Sequence, residues 1–203
     1  MDPLDSLMLT VLSQNTTDAN SGRAFEQLRE RFPSWKQVAA ARTSQVAAAI
    51  RLGGLAEIKS GRIKQILRRI EEDHGKLALD FLREMPPDEV RSYLLSLPGV
   101  GRKTAAVVML FALDMPAFPV DTHVLRVSKR LGLIPPKTTM DRAHDLFADV
   151  VEPRQMAILH LGLIRHGREV CAARWPRCPE CRLLDLCPQI GVTTISANGK
   201  RRP

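Results

Sequence analysis

Residues Leu94 to Thr104 read LLSLPGVGRKT. A helical stretch ends, a Pro98-Gly99 turn follows, then a second glycine, Gly101, and two basic residues, Arg102 and Lys103, open an apolar run. Glycine accepts positive φ at little cost and puts no side chain in the way of an approaching group, so both glycines are expected in tight, left-handed geometry. Amides presented by such a turn and by the start of the next helix form a site for a phosphate. Leu97, Gly99, Val100, Gly101 and Arg102 are the candidate contacts. A site of this kind holds a phosphodiester chain by its backbone without reading its sequence. Two glycines alone fit an ordinary Pro-Gly turn equally well, so the surroundings have to decide.

Those surroundings are helical. Downstream, Thr104 to Leu113 (TAAVVMLFAL) is apolar on every side, as suits a helix buried at the hub of a bundle. Upstream, Ile63, Ile66, Leu67 and Ile70 recur at spacings of three and four, and Val90, Tyr93, Leu94 and Leu97 repeat the pattern. No comparable strand alternation is present. Gly53-Gly54, His74-Gly75, Met85-Pro86-Pro87, Pro135-Pro136 and Glu152-Pro153 punctuate the chain into about nine or ten helices of roughly 8–20 residues each. Gly167 reads as a further helix end. The fold class is all-α. The stretch Thr193 to Pro203 is polar and carries Lys200-Arg201-Arg202, which predicts a disordered basic tail.

With 203 residues and 44% apolar content the chain can bury a core, as one globular unit or two small lobes. Thirty Lys and Arg against 22 Asp and Glu give a net charge of +8, a field that attracts polyanions, and nucleic acid is the first partner to consider. The start, MDPLDSLMLTVLSQ, is acidic where a signal peptide is basic, and no run reaches membrane-spanning length. The expected setting is cytoplasmic, nucleoid-associated in a bacterium, with no membrane partner. No apolar stripe is left unassigned, which predicts a monomer.

All four cysteines lie between Cys171 and Cys187, a usage that points to a metal and away from a disulfide scaffold. Cys171, Cys178, Cys181 and Cys187 have six, two and five residues between them, so four thiolates can converge in one short segment. Cys₄ zinc and a [4Fe–4S] cluster both accept such a set, and the single CxxC pair tips only slightly away from a zinc ribbon. Between the first two cysteines, AARWPR carries Arg174 and Arg177, two cations that a fastened loop would hold toward phosphate. His160 and His166 are six apart, which is not a helical metal-site spacing, and neither is assigned as a ligand.

LPGVGRKTA followed by VDTHV, with LSQNTTD near the start and the cysteine set near the end, resembles the endonuclease III family of helix-hairpin-helix DNA glycosylases from about Leu7 to Cys187. The resemblance implies an all-helical, two-lobed fold. A helical barrel would occupy 1–115 with the hairpin at about 90–111, an iron–sulfur lobe 116–192, and the basic tail 193–203. It implies base-excision repair of double-stranded DNA carrying oxidised pyrimidines or abasic sites, with a [4Fe–4S] cluster on all four cysteines. By residue chemistry alone Lys103 is an ordinary phosphate-binding lysine and Asp121 an ordinary helix N-cap. The resemblance makes Lys103 a Schiff-base nucleophile of the kind that both releases the base and cleaves the strand, and Asp121 the carboxylate that assists it.

A damaged base has to leave the stack before its sugar can be attacked, and something has to fill the gap. The family often carries a wedging glutamine in the amino-terminal loop. Ungapped alignment puts Asn15 there and Gln14 one residue earlier, so both are candidates. Leu55, after Gly53-Gly54, is similar to the family's opposing wedge, with core packing as its equally weighted alternative. His123 could reach phosphate or sugar, although a surface histidine on a helix is the plainer reading. The family also has a helix before LSQNTTD that packs on the cluster lobe, and this chain begins too late to supply it.

Overall fold

The computed structural model describes residues 1–192. The expected tail, 193–203, lies outside the described residues. Within them there are ten α-helices and no strand. The chain divides into two compact units, Met1–Met115 and one that begins at Pro116.

The first unit contains α1 (Pro3–Ser13), α2 (Asp18–Arg31), α3 (Trp35–Ala40), α4 (Thr43–Ala49), α5 (Ala56–His74), α6 (Pro87–Ser96) and α7 (Arg102–Ala112). Asp2 caps α1, accepting from the amides of Leu4 and Asp5, and Pro3 occupies the first turn, where its missing N–H costs nothing. Leu4, Leu7, Met8, Val11 and Leu12 on this helix are all buried, and α1 packs on α7. The expected apolar stripe of α5, Ile63, Ile66, Leu67 and Ile70, is buried, and Gly75 in left-handed geometry ends the helix. Helix α7 is the hub, but it is not buried all round. Val107 is half-buried and Phe111 exposed, because the helix spans only three turns and one edge faces outward. Two helices, α3 and α4, are shorter than the expected range, and short 3₁₀ turns join several others.

The second unit contains α8 (Thr122–Arg130), α9 (Met140–Val150) and α10 (Pro153–Glu169) and then the cysteine segment. Its core is α8 against α10, with Phe118 stacked on Phe147 at 4.5 Å between ring centroids. Gly167 is not the helix end expected from sequence. It lies inside α10, where a Cβ would come within 3.0 Å of the His123 Cβ and 3.1 Å of Val127 Cγ2. The glycine is there to let α8 and α10 approach closely. No helix among the described residues is long and apolar enough to cross a membrane.

Candidate functional site

The hairpin between α6 and α7 is built by two different glycines. Gly99 has φ +71°, the left-handed geometry expected, whereas Gly101 is extended at φ −97°, ψ 176° and serves as the N-cap of α7. The expectation of positive φ at both is therefore corrected at Gly101, whose Cβ would meet nothing within 4 Å. The first helical bond of α7 runs from the Ala105 amide to the Gly101 carbonyl, so the amides of the opening turn precede the intrahelical ladder and face outward along the axis. Leu97 and Val100 are not contact side chains. Both are buried, and their amides are used inside the hairpin, by the carbonyls of Leu94 and Leu97. Lys103, half-buried, is the second residue of α7.

Arg62, on α5, lies across the Gly99 turn. A Cβ on Gly99 would fall 2.1 Å from Arg62 Nε. Its guanidinium donates to Gln14 Oε1 at 2.6 Å, and Gln14 Nε2 reaches Thr104 Oγ1 at 3.5 Å. Sequence reasoning missed Arg62, since an arginine on a helix face carries no sign of a partner 37 residues away in the chain. The same bonds separate the two wedge candidates: Gln14 is half-buried and held, and Asn15 is exposed with φ +54°. Leu55 is also left-handed, at φ +50°, and 51% exposed, so core packing does not account for it. Asparagine tolerates this geometry, but leucine adopts it only under constraint.

In the second unit Asp121 caps α8 through Oδ1, which accepts from the Val124 amide at 2.7 Å. The segment leading to it is fixed by two buried histidines. His144 on α9 meets the Phe118 carbonyl and His160 on α10 the Pro119 carbonyl, each through Nδ1 at 2.9 Å. A carbonyl only accepts, so both rings carry a proton on Nδ1. His123 is drawn into the α8–α10 packing. Its Nδ1 accepts from Arg126 at 3.1 Å.

All four cysteines are half-buried and line one cavity, together with Arg130 and His166. Arg130 donates to Cys171 Sγ at 3.3 Å and to the carbonyls of Ala172 and Ala173, and Arg126 holds the carbonyls of Cys171 and Gly167. Backbone amides of Leu183 and Gln189 point at the sulfurs of Cys181 and Cys187, each at 3.4 Å. His166 Nε2 stands 3.7 Å from Cys181 Sγ. Burial, followed by the charges of the other three cysteines, pushes the Cys178 thiol up. Among the described residues no group of three or more His, Cys, Asp or Glu side chains could hold a single metal ion. Arg126 and Arg130 were not singled out from the sequence, since the nearer of them stands 41 residues before Cys171 and no spacing links the two segments. Arg177 is not aimed at solvent phosphate, since its guanidinium donates to the Glu169 carbonyl and pairs with Glu180 at 3.6 Å. Arg174 is exposed, and Trp175 beside it, 65% exposed at φ +58°, was not anticipated.

Comparison with known proteins bears on this arrangement. The model of the HhH-GPD superfamily base excision DNA repair proteins matches residues 8–153. A candidate DNA glycosylase of Arabidopsis thaliana is 45% identical over 139 residues, 68% of this chain, which spans only 47% of that protein's length. Endonuclease III of Bacillus subtilis is 36% identical over 186 residues, 92% of this chain and 81% of that protein. A trapped endonuclease III–DNA covalent intermediate aligns with a TM-score of 0.78 at 34% identity, covering 93% of this chain and 84% of the other. A thermostable thymine-DNA glycosylase, at 24% identity and the same TM-score, shares the fold. The chain belongs to the HhH-GPD superfamily of base excision DNA repair proteins, within its endonuclease III family.

Proposed function

We propose that the chain removes oxidised pyrimidines from double-stranded DNA and cleaves the strand at the resulting abasic site through a Schiff base on Lys103. The observation that carries this reading is the position of Lys103, half-buried on the opening turn of α7, two residues beyond the extended Gly101 cap of a hairpin suited to phosphate. The hairpin amides hold the backbone, and the lysine nitrogen attacks C1′. The N–C1′ bond forms as the bond to the base breaks, and the base departs with that electron pair and takes up a proton. Loss of a proton from the bound nitrogen, with opening of the sugar ring, gives the imine. Removal of a C2′ proton then expels the 3′ phosphate and cuts the strand. Asp121, whose Oδ1 caps α8, offers Oδ2 to stabilise positive charge on the sugar and to take a proton from the lysine. Asn15 and Leu55 are the residues that fill the duplex, since Gln14 is engaged by Arg62.

The four cysteines suit a [4Fe–4S] cluster. All four line one cavity, and amide and guanidinium donors reach three of their sulfurs, as thiolate ligands require. When bound, the cluster supplies a fastening that fixes the loop between Cys171 and Cys178.

A duplex with a preformed abasic site tests the lyase reading. The wild type is expected to leave the unsaturated sugar of β-elimination at the 3′ end, and Lys103→Gln to leave the strand whole. A wild type that leaves abasic sites whole while still releasing bases would overturn it.

A further inference from the structure

Lys59 is the largest of the fully buried side chains, 1% exposed on the apolar face of α5. Its ammonium donates to the Leu12 carbonyl at 2.6 Å and to the Gly53 carbonyl at 2.7 Å. Leu12 belongs to the last turn of α1, and Gly53 closes the 3₁₀ turn Arg51–Gly53, so the cation sits where two helix ends present their negative poles. Each carbonyl lies just before an exposed residue in left-handed geometry. Asn15 follows Leu12 by three residues and Leu55 follows Gly53 by two. Gly53 is itself tightly seated, since a Cβ there would be 3.2 Å from that of Ala24.

We propose that Lys59 is a positioning residue for base extrusion: its ammonium ties the Asn15 loop to the Leu55 loop and so fixes how the two side chains enter the duplex. The inference rests on the reading of Asn15 and Leu55 as the wedge pair. A left-handed Leu persists only while its surroundings hold it, and one buried cation bonded to the carbonyls of Leu12 and Gly53, just ahead of the two loops, is such a restraint. Burial disfavours the charge and pushes the Lys59 pKa down, and an apolar side chain of similar volume would carry no such cost. A fixed spacing matters because unpairing and unstacking a base costs a few kcal/mol, which the two wedges have to offset together.

The test is single-turnover excision of thymine glycol by the whole chain, from a fully paired duplex and from one in which the lesion sits unpaired in a bulge. Lys59→Met keeps the volume and removes the donors. It is expected to slow excision of the paired lesion on the order of tenfold more than that of the unpaired one, since only the former depends on extrusion. Adding Leu55→Ala to Lys59→Met should then cost less than it costs in the wild type, because both act on the same step. Equal slowing on both substrates, or strictly additive effects, would overturn the proposal and leave Lys59 a structural group. Should Lys59→Met fail to fold by urea unfolding, Lys59→Gln, a shorter donor, carries the same comparison. Failure of the wild type to excise either substrate would count against the proposed function and not against the tie.

Discussion

Substituting Gly99 separates backbone geometry from side-chain crowding in a way the structure makes quantitative. At φ +71° any residue with a Cβ is in the left-handed region, a cost of about 1–2 kcal/mol. The new methyl would also sit 2.1 Å from Arg62 Nε and 2.5 Å from Cδ. Being the far part of a flexible side chain, Arg62 can swing aside, but it then gives up its 2.6 Å bond to Gln14. A hydrogen bond from a charged donor contributes about 1.5–3 kcal/mol, with the lower end suited to a half-buried pair. Gly99→Ala is thus expected to destabilise the chain by roughly 2.5–4 kcal/mol, the sum of the two parts. In an Arg62→Ala background the second part is gone, and the same substitution should cost only about 1–2 kcal/mol. Gly101→Ala is the control. Its φ of −97° suits any residue and its Cβ meets nothing, so the gain in chain stiffness and the loss of a glycine cap nearly cancel, within about 0.5 kcal/mol. Urea unfolding of the four variants, with unchanged dependence on denaturant, measures all of this. A Gly99→Ala cost that is the same with and without Arg62, or no larger than that of Gly101→Ala, would refute the reasoning.

Further expectations follow from the second unit and from Lys59. His160→Leu leaves the Pro119 carbonyl without its donor, at about 1–3 kcal/mol, and is expected to lower the rate of base release more than DNA affinity, because it frees the segment that aims Asp121; single-turnover kinetics and binding on one duplex separate the two, and a pure affinity loss would contradict it. Arg130→Met removes the guanidinium that joins Cys171 Sγ to the Ala172 and Ala173 carbonyls, and the purified variant should carry less iron and sulfide per chain than the wild type; full occupancy would remove Arg130 from that role. Lys59, with its pKa lowered by burial, binds fewer protons in the folded chain than in the unfolded one between that lowered value and the ordinary 10.5. Wild-type stability relative to Lys59→Met should therefore be flat at low pH and rise through that alkaline window. A falling difference would mean that the folded chain favours the ammonium.

How far the sequence reaches depends on whether a feature is local. The Gly99 turn, the Gly101 start of α7 and the Asp121 cap are each written within about a dozen consecutive residues, and the cysteine spacing within the segment 171–187, and each is found where its residues stand. The arrangement around them is not local. Arg62 over Gly99, Lys59 between Leu12 and Gly53, His144 and His160 on the carbonyls before Asp121, and Arg130 beneath Cys171 are contacts between segments distant in the chain, and no spacing rule announces them. Gly167 shows the converse. A glycine near the end of a helical pattern reads as a terminator, while its actual task, admitting His123 and Val127 at close range, depends on which helix crosses it. Left-handed geometry was expected at Gly101 as well, but the residue is extended as the N-cap of α7, where a Cβ would meet nothing.

The central claim is the covalent chemistry of one lysine. Borohydride added during reaction with a duplex containing thymine glycol would reduce an imine to a permanent protein–DNA adduct, and digestion with mass mapping would locate it. The account predicts an adduct on Lys103 that is lost in Lys103→Gln, whereas base release without any adduct, or an adduct on another amine that survives the substitution, would contradict it.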